Sequence, residues 1–83
     1  MAVFVLMIKV EENREKVIYK FGPNRKCMGI IEYNKITDQF LILEKVNDGK
    51  ISNEAYERWA AEKIAKLMYR EGGAFPDRTV VEK

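Results

Sequence analysis

Apolar residues recur at strand spacing in four stretches of the chain and at helix spacing in a fifth. Val3 to Val10 is dense in β-branched and large apolar side chains, as strands are. Val3, Val5 and Met7 share one parity, and Phe4, Leu6, Ile8 and Val10 share the other. A strand apolar on both sides belongs inside a sheet or beneath a second molecule. Arg14 to Phe21 alternates instead, with Val17, Tyr19 and Phe21 on one face and Lys16, Ile18 and Lys20 on the other. That is the pattern of a half-buried strand with a basic outer face. Cys27 to Tyr33 is the third stretch, and Gly29 within it signals a bulge or a close approach of backbone. Phe40 to Val46, the fourth, is again apolar on both parities. Between them lie the polar breaks Glu11-Glu12-Asn13, Gly22-Pro23-Asn24 and Asn34 to Asp38, and Asn47-Asp48-Gly49 follows the last.

Ser52 to Glu71 reads as a helix. Ser52 suits the N-cap, and Ile51 and Tyr56 stand at the spacing of a hydrophobic staple. Glu54 and Glu57 complement the positive end of the helix. Tyr56, Trp59, Ala60, Ile64, Leu67 and Met68 form one broad apolar stripe, with Arg58, Glu62, Lys66 and Arg70 opposite. Gly72 and Gly73 supply the left-handed residue that ends a helix, and Pro76 forbids its continuation. Phe75 is expected to fold back on the core. Thr79 to Val81 fits either a short edge strand or a loose tail.

Short turns make consecutive strands antiparallel neighbours, because parallel pairing needs a long crossover. The expected class is α+β: a four-stranded antiparallel meander, curled or open, then one amphipathic helix, in the order β-β-β-β-α with room for a short C-terminal strand. One helix covers one face of such a sheet. The apolar residues of the second face then need sheet curling, a second copy or another protein to cover them. Symmetric dimers are the commonest oligomers, so the expectation is a homodimer formed through the open face or an edge strand.

Eighty-three residues, 47% hydrophobic and 34% charged, suit a single folded domain spanning 1–83. A chain this short leaves much of its surface exposed, so association would add stability. The apolar start is cut by Lys9 and lacks a basic lead, so neither a signal peptide nor a membrane span is expected. Cys27 is the one cysteine, which points to a reducing, cytoplasmic setting.

The missing chemistry is informative. With no histidine and one serine, Ser52, the usual nucleophile–base sites cannot be assembled. Nor can a His-based or multi-cysteine zinc site. No catalytic residue, cofactor or metal is assigned, and an enzyme is not expected. Glu32 reads as an outward-facing strand residue paired with Lys16 or Lys20. Cys27 follows two cations, Arg25 and Lys26, which favour a thiolate, yet no base is at hand and a small apolar role suits it better.

Formal charge is +2, with seven basic and four acidic residues in 1–35 giving +3. Arg14, Lys16, Lys20, Arg25 and Lys26 crowd one stretch, with Tyr19, Phe21 and Tyr33 interleaved. Cations with aromatics are how sheets bind single-stranded nucleic acid. Alternation, however, puts those aromatics on the face opposite Lys16 and Lys20. The leading expectation is therefore a small module that acts by contact, with a second copy or another protein. The alternative is weak single-stranded nucleic-acid binding through 14–26.

Overall fold

The computed structural model describes residues 4–46 and 53–82. Five strands and one helix follow in the order β1 (Phe4–Glu12), β2 (Lys16–Gly22), β3 (Gly29–Asn34), β4 (Gln39–Glu44), α1 (Asn53–Tyr69) and β5 (Arg78–Glu82). All neighbours are antiparallel in one open sheet, ordered β4-β3-β2-β1-β5. The α+β meander is therefore as expected, and the open alternative for Thr79 to Val81 resolves into a strand on the far side of β1. β1 is interior, between β2 and β5, as its two apolar faces require.

Two strand limits differ from expectation for physical reasons. Glu11 and Glu12 were expected to break the chain, yet β1 runs through both. A register shift between Lys9 and Glu11 makes Val10 an extra residue, and Glu11 then faces Ile18 while Glu12 faces Val17. Glu12 remains in the ladder because two lysine ammoniums neutralise it, as described below. The turn is made further on by Asn13, whose Oδ1 accepts from the amides of Glu15 and Lys16. The third strand begins at Gly29 and not at Cys27, because Asn24 Oδ1 holds the amides of Lys26 and Cys27 in the turn.

Gly29 marks a close approach. A Cβ built there would lie 2.5 Å from the Glu44 carbonyl oxygen and 2.9 Å from the Val46 amide. The β3–β4 register shifts beside it, between Ile30 and Ile31. Bulges of this kind increase local twist.

The helix lies on one face of the sheet. Tyr56, Ala60, Ile64 and Leu67 are buried, and Trp59 and Met68 pack partly against the same cluster. Val5 and Met7 of β1, Val17, Tyr19 and Phe21 of β2, and Ile31 and Tyr33 of β3 meet them. At the helix end, Gly72 and Gly73 have φ of 66° and 83°, and the Gly73 amide donates to the Leu67 carbonyl. This closure spans one residue more than a Schellman motif and uses two successive left-handed residues, a conformation that glycine adopts at low cost. It redirects the chain so that Phe75 enters the core. The expected cap Ser52, its staple partner Ile51 and the turn Asn47-Asp48-Gly49 lie outside the described residues.

Candidate interaction surface

Strand alternation sends the other half of the sheet's side chains away from the helix. In the ladder, Ile8 faces Arg78 on one side and Lys20 on the other, Lys20 faces Ile30, and Ile30 faces Glu44. One row thus crosses all five strands, basic at the β5 end and acidic at the β4 end. The next rows place Leu6 between Val80 and Gly22, and set Glu11, Ile18, Glu32 and Leu41 in line across four strands. Phe4 and Leu41 of this face are 46% and 55% exposed, and Leu43 at the β4 bulge is also open. Ile8, Ile18, Ile30 and Val80 are half-buried. Among the described residues this face carries no helix, and its apolar residues, among which Leu6 is buried, are shielded only in part by the charged side chains between them. Exposed apolar area of this kind marks a contact surface when it is contiguous.

The two edges of the sheet differ. β4 carries Phe40, Leu41 and Leu43 exposed, with Asp38 before it and Glu44 at its end. β5 is shorter and carries Arg78 and Glu82 at its ends with Thr79, Val80 and Val81 between.

The expected polyanion contacts fall on exposed or half-exposed positions but not in one place. Lys16 and Lys20 project from β2 on the open face, Arg14 lies in the turn before β2, and Arg25 and Lys26 lie in the turn after it. They span the length of β2, roughly 20 Å at ~3.3 Å per residue. Lys16 is already engaged, its Nζ 3.7 Å from Glu32 Oε1, the cross-strand pairing expected of Glu32. Tyr19 and Phe21 are fully buried and Tyr33 nearly so, so none of these aromatics is available for stacking on bases. Cys27 is half-exposed in the β2–β3 turn. A shallow depression of about 400 Å³ lies elsewhere, lined by Leu67, Glu71, Ala74, Phe75 and Pro76.

A polar cluster on the helix side of the sheet escapes sequence reasoning. Lys9 has the core parity of β1, where an unpaired ammonium would be costly. Its Nζ donates to Glu12 Oε1 at 2.8 Å and to the Phe75 carbonyl at 3.0 Å, and lies 3.3 Å from Asp77 Oδ1. Lys35 Nζ donates to the other Glu12 oxygen and to the Asn13 carbonyl, both at 2.8 Å, and sits 5.1 Å from the Phe75 ring centre. The hydrogen bond from Lys35, then that from Lys9, holds the Glu12 carboxyl below its usual range. The Glu12 hydrogen bond in turn raises Lys9. Nearby, the Tyr19 hydroxyl donates to the Pro76 carbonyl at 2.6 Å, and burial pushes its pKa up to about 12. Tyr33 donates to Asp38 Oδ1 at 2.5 Å, and burial followed by this carboxylate raises it strongly. Asp38 sits at a φ of 58° in the β3–β4 turn, and the Tyr33 hydroxyl lowers its carboxyl.

These groups satisfy one another across the sheet. Their chemistry is attachment. Lys9, Lys35 and Tyr19 hold Phe75 to Asp77 against the sheet, and the Lys9 amide donates to the Asp77 carbonyl at 2.7 Å. The cluster thereby delivers the chain to β5. The sequence signal for it was a lysine in the core register of an apolar strand, which demands partners.

Among the described residues no group of histidine, cysteine and acidic side chains is arranged to hold a metal ion, and no helix is long and apolar enough to cross a membrane. Compared with protein-family models, curated proteins and solved structures, the chain matches none.

Proposed function

We propose that this protein works by contact, as a self-associating interaction module whose first partner is a second copy of itself. One observation carries the reading: a single helix covers one side of a five-stranded sheet, and Phe4, Ile8, Ile18, Ile30, Leu41 and Val80 are left on the other. Removing such apolar area from water yields ~25 cal/mol per Å², a gain the monomer leaves untaken. Charges of both signs on this surface, Lys20 and Arg78 against Glu32, Glu44 and Glu82, suit a like surface better than a uniformly charged partner. A cytoplasmic setting fits the same reading, since the half-exposed Cys27 thiol would stay reduced there.

The single-stranded nucleic-acid reading retains exposed cations and lacks the stacking platform that sheet-based binders use. The test is light scattering on the purified protein across the micromolar range. A mass of twice 9.7 kDa that falls on dilution supports the module. A constant 9.7 kDa at every concentration rejects it.

A further inference from the structure

The proposed self-association leaves open which surface meets which, and the two sheet edges answer differently. The ladder between β1 and β5 pairs Ile8 with Arg78 and Leu6 with Val80. Continued one step, this register sets Lys9 opposite Asp77, and the Lys9 amide does donate to the Asp77 carbonyl at 2.7 Å. Asp77 therefore turns its backbone groups inward. Antiparallel ladders alternate, with every second residue bonded to one neighbour and the rest facing away. Thr79 and Val81 accordingly face β1. The amide and carbonyl groups of Arg78, Val80 and Glu82 face outward, where no further strand lies among the described residues.

We propose that β5 pairs antiparallel with β5 of a second copy about a two-fold axis at Val80, joining two five-stranded sheets into one of ten. This rests on the self-association reading above and names its seam. In that register Val80 faces its own counterpart, Thr79 faces Val81 of the second copy, and Arg78 faces Glu82 of the second copy at both ends. Each of the three outward positions finds a facing position that also points outward, so the free donors and acceptors are matched by geometry. Opposite charges directly across an antiparallel pair stabilise it. Arg78, Val80 and Glu82 share the open face with Leu6 and Ile8, so parity is preserved across the seam. The two open faces become coplanar and are extended, not covered, and the seam is held by backbone pairing and the two Arg78–Glu82 pairs.

The β4 edge fails the same test. The register shift beside Ile30 leaves Leu43 as an extra residue, and this bulge interrupts β4 near its end. Bulges are devices that protect an edge. Charged ends could serve the same protective purpose on β5, but there the signs are opposite and meet each other in register.

The seam is short, so binding is expected at the weak end of specific contacts. The experiment measures the dissociation constant by sedimentation for four chains: the natural one, Arg78→Glu, Glu82→Arg and the two changes together. Each single change replaces two attractions with two repulsions and should weaken association by about tenfold or more. The double change restores opposite signs and should bring the constant back near its natural value. Gln39→Lys, at the start of the other edge strand, should leave it unchanged. Circular dichroism checks that each chain is folded, and the rescue by the double change separates loss of pairing from loss of fold. If the natural chain dimerises and neither single change matters, the β5 seam is overturned while self-association stands. If the natural chain is monomeric throughout, both fall together.

Discussion

Ile30 and Ile31 are neighbours on one strand, yet they live on opposite sides of the molecule. Ile31 is fully buried beneath the helix, in contact with the main cluster; Ile30 is half-buried and faces Lys20 and Glu44 across the ladder. The same side chain, on the same strand, is core in one case and surface in the other. The difference shows how an 83-residue chain divides its apolar residues: one set closes a core with a single helix, and the other is left for association.

The sharpest way to break the comparison is to truncate both. Ile31→Ala should cost about 3 kcal/mol of unfolding free energy, the usual range for an aliphatic truncation in a packed core. Ile30→Ala should cost less than about 1 kcal/mol in dilute monomer, and chemical denaturation would measure both. Equal losses would mean that the second face is as enclosed as the first. Gly29→Ala comes next. Its new methyl would press on the Glu44 carbonyl and the Val46 amide, which belong to backbone and yield poorly. A loss of about 1–3 kcal/mol is expected, as for other overpacked sites. No loss would show that β4 moves freely against β3.

A smaller effect sharpens the role of the attachment cluster. Tyr19→Phe deletes the hydrogen bond to Pro76 and should cost about 1 kcal/mol at neutral pH. It should also change the alkaline limb of stability. Tyr19 has its folded pKa raised from 10.0 to about 12, so the stability linked to its neutral form is complete below pH 10 and disappears as pH rises through about 12. The natural chain should therefore lose stability more steeply over that window than Tyr19→Phe does. Parallel alkaline melts would show that burial of the phenol is not felt. The acid limb has the opposite sign. Glu12 is held below 4.5, so its contribution is present above pH 4.5 and is lost as pH falls through the lower folded value. Glu12→Gln should flatten that loss in acid denaturation. The smallest effect is expected at Lys20→Ala, an exposed position, with a change within about 0.5 kcal/mol.

The elements read directly from the sequence are those whose periodicity has one buried face. Val17, Tyr19 and Phe21 against Lys16 and Lys20 announced β2, and the stripe from Tyr56 to Met68 announced α1. The Lys16–Glu32 pair followed from strand alternation. Residues apolar on both parities were less legible. Val3 to Val10 and Phe40 to Val46 look alike, yet β1 is interior and β4 is an edge. What separates them is the return of β5 beside β1, a contact between residues more than 65 positions apart. That return depends on Lys9, Tyr19 and Lys35 gripping Phe75 to Asp77, a polar arrangement that no hydrophobic period encodes. The Val10 bulge was likewise invisible, because one extra residue leaves a both-faced apolar pattern unchanged. As for the surface, the sequence showed that something must cover a second face, while the difference between the β4 and β5 edges needed the register.

Sedimentation equilibrium of the unmodified chain, from well below to well above micromolar concentration, probes the central claim most directly. A monomer–dimer equilibrium is the predicted outcome, with the larger species gaining as protein is added. A single species of 9.7 kDa at every loading would contradict it, and would mean that the uncovered side of the sheet is an ordinary solvated surface.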